Sequence, residues 1–150
     1  MDQRHYQAAQ ILNGLVETTL DSALGYEQAA DLARNPRFKA VFGSRVAARR
    51  KLAGELEDQV RAAGGVPSTA GTVIGPVHRA FVALRGRFSG QSDRPVVEEV
   101  ERGEAFILDQ FDRAARQNAL PDEARGLVER ALVHIRENHD EIEGLKAEFH

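Results

Sequence analysis

The sequence predicts an all-α fold: an antiparallel four-helix bundle with a short extra helix in the long crossover between the second and third long helices. Apolar residues recur at steps of three and four along four segments of about 20–30 residues each, which is the spacing of amphipathic helices. No segment alternates between polar and apolar residues in the manner of a strand. Four such helices need a common core, and a bundle is the simplest way to build one.

The first helix is predicted from about Gln3 to Arg34, and the residues "RNPRF" end it. Pro36 disfavours helix at Asn35 but suits the first turn of the next helix, where Asn35 is the expected cap. The inward stripe of the first helix is predicted to contain Leu12, Leu15, Thr19, Ala23, Tyr26, Ala30 and Ala33.

The second helix is predicted from about Pro36 to Ala63 and ends at "AAGGVP". Either Gly64 or Gly65 can adopt the left-handed conformation that closes a helix, and Pro67 follows just beyond. The expected inward stripe consists of Phe38, Val41, Phe42, Val46, Leu52, Leu56 and Val60.

The three remaining helices follow proline residues. A short helix fits Pro76 to about Arg87, and a long one fits Pro95 to Gln117 with Ser92 or Asp93 as its cap. The last helix starts at Pro121 and reaches nearly to the end of the chain.

The lengths of the connections predict how the helices pair. Short turns near residues 34–36 and 118–121 make antiparallel pairs of helices one and two and of helices four and five. The middle connection of roughly 30 residues is long enough to cross the bundle, although an up-and-down topology also fits. We see no linker that would divide the chain, so residues 1–150 are expected to form a single domain.

Composition excludes several classes of function. The chain has no cysteine, which excludes disulfides, thiolate metal sites and cysteine nucleophiles. A net charge of −3 argues against a nucleic-acid partner, because no basic excess is present to bind phosphates. The polar start "MDQRHYQAAQ" and the lack of a long apolar run predict a cytoplasmic protein without a membrane span.

Five stretches taken together resemble a bacterial family of ferritin-like four-helix-bundle proteins known only as a domain of unknown function. In chain order they are "ILNGLVETTLDSALGYEQAADLA", "RRKLAGELEDQVRAAGGVP", "GTVIGPVHRAF", "EEVERGEAF" and "HDEIEGL". The resemblance covers nearly the whole chain and implies a ferritin-like bundle, in which the polar motif positions are Glu55, His78, Glu104 and His139. It implies no activity, because the family has no assigned one.

Glu104 lies on an apolar stripe with Val97, Val100, Leu108 and Phe111, so its carboxylate is expected to need a partner. Arg49 lies on the inward side of the second helix and offers five hydrogen-bond donors. Three interpretations stay open: a buried network of Glu27, Arg49, Glu104 and His139; a metal site; or partial exposure of these groups to solvent.

A metal site would be the ferritin-like choice, but the ligand motif is incomplete. Di-iron bundles carry Glu-x-x-His on two helices, and no such pair occurs in this chain. Glu27 and Glu55 are expected about 18 Å apart along the bundle, too far to share an ion. The remaining candidates give Glu104 and His139 as first ligands, Glu27, Glu55 and His78 as weaker ones, and His134 near the level of Glu104.

Two functional hypotheses follow. The first is a non-catalytic interaction or stress-associated module whose buried polar network fixes the register of the bundle and which binds a protein partner or itself. The alternative is a ferritin-like protein that binds iron or another divalent metal in oxidative stress or metal handling. No other cofactor and no catalytic residue is indicated, and the sequence does not decide whether the protein is an enzyme.

Overall fold

The computed structural model describes residues 3–68, 76–87 and 92–149, and these residues contain five α-helices and no strand. The all-α prediction is therefore confirmed. The helices are α1 (Gln3–Leu32), α2 (Pro36–Ala62), α3 (Pro76–Arg87), α4 (Arg94–Ala115) and α5 (Asp122–Lys146). None of the helices described is both long and apolar enough to cross a membrane.

The predicted signals close both ends of α2. The Asn35 side chain accepts a hydrogen bond from the backbone N–H of Arg37, as expected of a helix cap. At the other end Gly64 adopts the left-handed conformation with a φ of 82°, and the N–H of Gly65 donates to the Val60 carbonyl at 2.9 Å. This is the Schellman closure, which satisfies the last carbonyl groups of the helix.

Contacts between distant residues show that the long connection crosses the bundle. Arg4 donates to the Asn118 carbonyl at 2.9 Å, so the start of α1 lies beside the turn between α4 and α5. The carboxylate of Asp93, at the start of α4, accepts hydrogen bonds from the N–H groups of Arg34 and Asn35 at the opposite end. The segment from α2 to α4 therefore spans the length of the bundle, and α2 and α4 run in the same direction, as in ferritin-like topologies.

Two helix ends are closed by side chains from other elements. Of the two predicted caps of α4, Asp93 does not cap its own helix, because both of its carboxylate oxygens bond to the turn between α1 and α2, at 2.8 Å each. Ser92 instead accepts from the N–H of Arg94. At the end of α4, the guanidinium of Arg125 from α5 donates to the Ala115 carbonyl at 2.6 Å.

The core consists of two apolar clusters, one toward each end of the bundle. One cluster joins the first half of α1 to the ends of α2 and α4 and to the first half of α5, and Leu12, Leu56, Phe111 and Val128 lie within it. The other contains Phe38, Phe42, Phe81, Val96 and Ile142. The predicted stripe of α1 is buried except for Ala30, which is only partly buried, and His139 of α5 is also only partly buried.

Candidate functional site

A layer of buried polar side chains lies between the two apolar clusters. It is built by three helices: α1 contributes from its middle, α2 from the turn that follows Phe42, and α4 from the centre of its apolar stripe. Burial of so many polar groups requires that they bond to one another. We define the polar layer as Thr19, Ser22, Tyr26, Arg45, Arg49 and Glu104.

The centre of the polar layer is an ion pair between Arg49 and Glu104. The two terminal nitrogens of Arg49 donate to the two carboxylate oxygens of Glu104 at 2.8 Å each. The side chains are 4% and 1% exposed. Nη1 of Arg49 also donates to the hydroxyl of Ser22 at 2.7 Å. This two-point contact is the geometry in which Arg binds a carboxylate most strongly.

Tyr26 packs against both arginines of the layer. The guanidinium carbon of Arg49 lies 5.3 Å from the centre of the Tyr26 ring, and that of Arg45 lies 5.8 Å from it. These are cation–π distances. The Tyr26 hydroxyl accepts a hydrogen bond from Arg45 at 3.3 Å. Burial, and then the charge of Glu104, raise the pKa of Tyr26 well above its ordinary value, so this phenol stays protonated.

The layer is neutralised by protein groups. Burial lowers the pKa of Arg49, but the charge and hydrogen bonds of Glu104 together outweigh it and leave the pKa above its ordinary value. Arg45 has its own acid, because it donates to Glu141 of α5 at 2.8 Å. Among the residues described, the hydroxyl of Thr19 is the one buried side-chain polar atom without a hydrogen-bond partner.

Two of the predicted carboxylates lie outside the layer. Glu27 is 52% exposed and bonds Arg50 at 2.5 Å. Adjacent residues on a helix point about 100° apart, so the burial of Tyr26 and Arg49 turns Glu27 and Arg50 outward. The prediction that Glu27 joins the network is wrong for this reason. Glu55 is also exposed.

The histidines predicted near Glu104, His134 and His139, do not contact it. His139 is 23% exposed and lies 3.7 Å from Glu143, on the side of α4 that carries Leu108. Glu104 points away from that seam toward α1 and α2, so the expected contact between the two is absent. His134 is exposed and faces Glu137 at 3.9 Å. The side chain of His78 lies outside the part of the chain whose side chains are described.

A second polar cluster occupies the seam between α4 and α5. Lys146 donates to Glu101 at 2.9 Å, and a hydrogen bond joins the carboxyl groups of Glu101 and Glu143. That bond lowers the pKa of Glu101 and raises the pKa of Glu143. An ammonium group thus occupies the place where a cation would approach Glu101.

Sequence reasoning missed Arg45, Ser22 and Tyr26 as members of the layer. Arg45 lies four residues before Arg49, and Ser22 lies four before Tyr26, so each pair shares one face of its helix. These polar residues interrupt the apolar faces of α1 and α2 in the sequence, and the two interruptions lie at the same level of the bundle.

The residues of the polar layer do not fit a ferritin-like dinuclear metal centre. Such a centre needs several carboxylates and two histidines around a pair of cations. Here both oxygens of Glu104 are bonded to a guanidinium, which would repel divalent ions. Within the described ranges, no group of three or more His, Asp or Glu side chains converges closely enough to hold a metal ion.

The two antiparallel helix pairs, joined by a connection that spans the bundle, define a ferritin-like four-helix-bundle protein. A family model described as "Domain of unknown function (DUF2383)" matches residues 7–117, and the chain belongs to that family. A mutant of Dps1 from Mycobacterium smegmatis is similar in structure, with a TM-score of 0.76 and 12% identity over 97% of this chain and 99% of that chain. No curated protein sequence matches the chain significantly.

Proposed function

We propose that this protein is a non-catalytic ferritin-like module that acts through protein contacts, with the polar layer fixing how its helices pack. The observation that carries this proposal is the pairing of Arg49 with Glu104, whose side chains are only 4% and 1% exposed. Both groups are almost fully buried, and each is bonded to the other. Because the buried carboxylate of Glu104 is already neutralised by Arg49, the proposed function depends on the surface of the protein and not on its core.

The polar layer has a clear physical role in this proposal. Apolar side chains alone allow helices to slide past one another, since their contacts are not directional. A bidentate ion pair between α2 and α4 forms at one register only, and any slip would leave two buried charges unpaired. The pair therefore favours one rigid arrangement, and so one fixed outer surface, which specific recognition of a partner or a second copy needs.

The test combines the metal content and the assembly state of the purified protein. The protein is expressed in iron-supplemented medium, its iron is measured by mass spectrometry, and Glu104→Gln is treated in the same way. We expect iron far below one ion per chain in both proteins. Stoichiometric iron that is lost in Glu104→Gln would contradict this proposal and support the metal-binding alternative, which places the protein in oxidative stress or metal handling.

Assembly is measured by sedimentation velocity from low to high micromolar concentration, and a cross-linked pull-down from the source cells tests for other partners. We expect either concentration-dependent self-association or one specific partner. A monomer at every concentration, together with no specific partner, would contradict the interaction role.

A further inference from the structure

A groove runs along the face between α2 and α5. The ion pair of Arg45 with Glu141 closes one end, and a 3.4 Å contact between Gln59 and Glu123 lies at the other. Between these contacts the helices stand apart and leave a cavity of about 500 Å³. This volume lies within the range of small-molecule sites in proteins, which is about 300–1,000 Å³.

The floor of the groove is apolar. Leu127, Ala131 and Ile135 follow one another at steps of four along α5 and line it, and they are 7%, 6% and 2% exposed. Leu52 of α2 lies half-buried on the facing wall. The lining on α2 extends from Ser44 to Glu55, which corresponds to about 16 Å along a helix axis. A medium-length alkyl chain can lie along such a floor.

The rim of the groove carries two exposed cations, for which the described part of the chain supplies no ion-pair partner. Lys51 lies on the α2 wall and Arg130 on the α5 wall, and both are exposed. No hydrogen bond or ion pair joins either of them to another residue that the structure describes, whereas most exposed arginines of the chain are paired with acids. Glu55 is the sole carboxylate of the lining, and it is not within ion-pair distance of either cation.

We propose that this groove binds a single-chain amphiphile with an anionic head, its chain on the apolar floor and its head between Lys51 and Arg130. An inorganic anion would leave the floor uncovered, and an uncharged alkane would leave both cations without a counter-ion. An alkyl carboxylate or alkyl phosphate satisfies both parts of the site, because it buries apolar surface and forms charge-assisted hydrogen bonds. The proposal does not depend on the protein having a protein partner.

The test measures binding of dodecanoate to the full chain by isothermal titration calorimetry. The dodecanoate concentration is kept below the one at which it forms micelles. Dodecylamine is the matched probe, since it has the same chain and a cationic head. We expect saturable one-to-one binding of dodecanoate and at least tenfold weaker binding of dodecylamine. Because the double variant removes both groups that bind the anionic head, Lys51→Ala with Arg130→Ala should weaken dodecanoate binding at least tenfold, which corresponds to about 1.4 kcal/mol.

The control variant removes two exposed cations elsewhere, Arg61→Ala with Arg113→Ala, and so makes the same change in net charge. It should bind dodecanoate as the wild type does. Ala131→Leu, which narrows the floor, should weaken binding while the circular dichroism spectrum stays unchanged.

Three results would overturn the proposal. They are equal binding of dodecylamine, the same loss of affinity in the control as in the Lys51 and Arg130 variant, or binding to vesicles of anionic phospholipid without binding of monomeric dodecanoate. The last result would make the cations a membrane contact instead of a small-molecule site.

Discussion

At the scale of single residues, the ion pair of Arg49 with Glu104 determines the character of the core. A buried charge that loses its partner is costly, whereas replacement of both partners by apolar groups of similar size is often neutral or stabilising. The pair therefore contributes more to the choice of one packing arrangement than to total stability.

Glu104→Gln is expected to lower the free energy of unfolding by about 3–5 kcal/mol, because it leaves the guanidinium of Arg49 buried without a counter-charge. Arg49→Met should have a similar cost. The double variant should recover most of the loss. Urea unfolding of the four proteins gives the coupling energy directly.

Glu27 and Arg50 provide the matched control for that cycle. They also form an ion pair between α1 and α2, but their side chains are 52% and 60% exposed. Such surface pairs contribute about 0–1 kcal/mol. If Glu27→Gln destabilised the protein as much as Glu104→Gln does, burial of the core pair would not explain its importance.

Tyr26 makes the stability of the fold depend on alkaline pH. Its pKa is raised in the folded protein, so the phenol stays protonated there while it ionises in the unfolded chain above its ordinary value of 10.0. The unfolded state then binds fewer protons, and the free energy of unfolding falls as the pH rises above about 10. Below that pH the contribution of Tyr26 is fully present.

Urea unfolding at about pH 9 and about pH 11 tests this effect. Tyr26→Phe should show a smaller loss of stability between the two conditions than the wild type. Tyr6→Phe is the control, because Tyr6 is 52% exposed near the start of α1, and it should behave as the wild type does. A Tyr26→Phe protein with the full pH dependence would contradict the account.

Which residues are polar and inward could be predicted in part from the sequence. Glu104 and Arg49 interrupt otherwise apolar stripes, and the helical period alone placed both of them inside. Glu27 and His139 sit at the edges of their stripes, where a rotation of the helix by a fraction of a turn decides between core and seam. That rotation is set by the packing of all the helices together, so it cannot be predicted from the apolar period of one helix.

At the scale of the helices, some of the groups that close helix ends could be predicted from the sequence and others could not. Asn35 and Gly64 act on their own helix, and the sequence predicted them because local chemistry is sufficient. Asp93 and Arg125 close the ends of helices that are distant in the chain or separated by a turn. No local signal marks such residues, since their partners are defined only by the assembled bundle.

Asp93→Ala is expected to lower the free energy of unfolding by about 1–3 kcal/mol, because two buried or half-buried N–H groups at the turn between α1 and α2 lose their acceptor. Asp93→Asn keeps one acceptor oxygen and should fall between Asp93→Ala and the wild type. Urea unfolding measures both.

Ser92→Ala is the control for Asp93. Ser92 accepts one exposed hydrogen bond, from the N–H of Arg94, so its loss should cost less than about 1 kcal/mol. If Asp93→Ala were no less stable than Ser92→Ala, the hydrogen bonds of Asp93 to the turn between α1 and α2 would not contribute to stability.

At the scale of the whole molecule, the crossover topology runs α2 and α4 in the same direction at diagonal positions of the bundle, and Arg49 reaches across the core to Glu104. An up-and-down bundle would have run these two helices in opposite directions, and the lengths of the connections left both topologies open. The contact of Asp93 with the turn between α1 and α2 decides between them. The fold class, the two antiparallel helix pairs and the crossover itself thus follow from the sequence and one long-range contact.

The separation of the core into two apolar clusters by a polar layer is the central feature of this molecule. In this position a ferritin-like metalloprotein would gather carboxylates and histidines around cations, and this chain brings a guanidinium to its carboxylate. The charged group at the centre of the bundle is thus already paired within the protein, and the proposed interaction role belongs to the outer surface.

The most direct measurement of this claim is a crystal structure of the protein grown with ferrous iron, with anomalous diffraction recorded at the iron edge. The account predicts that both oxygens of Glu104 lie within hydrogen-bond distance of Arg49, with no anomalous peak in the polar layer. An iron ion bonded to Glu104, with Arg49 displaced from it, would contradict the account.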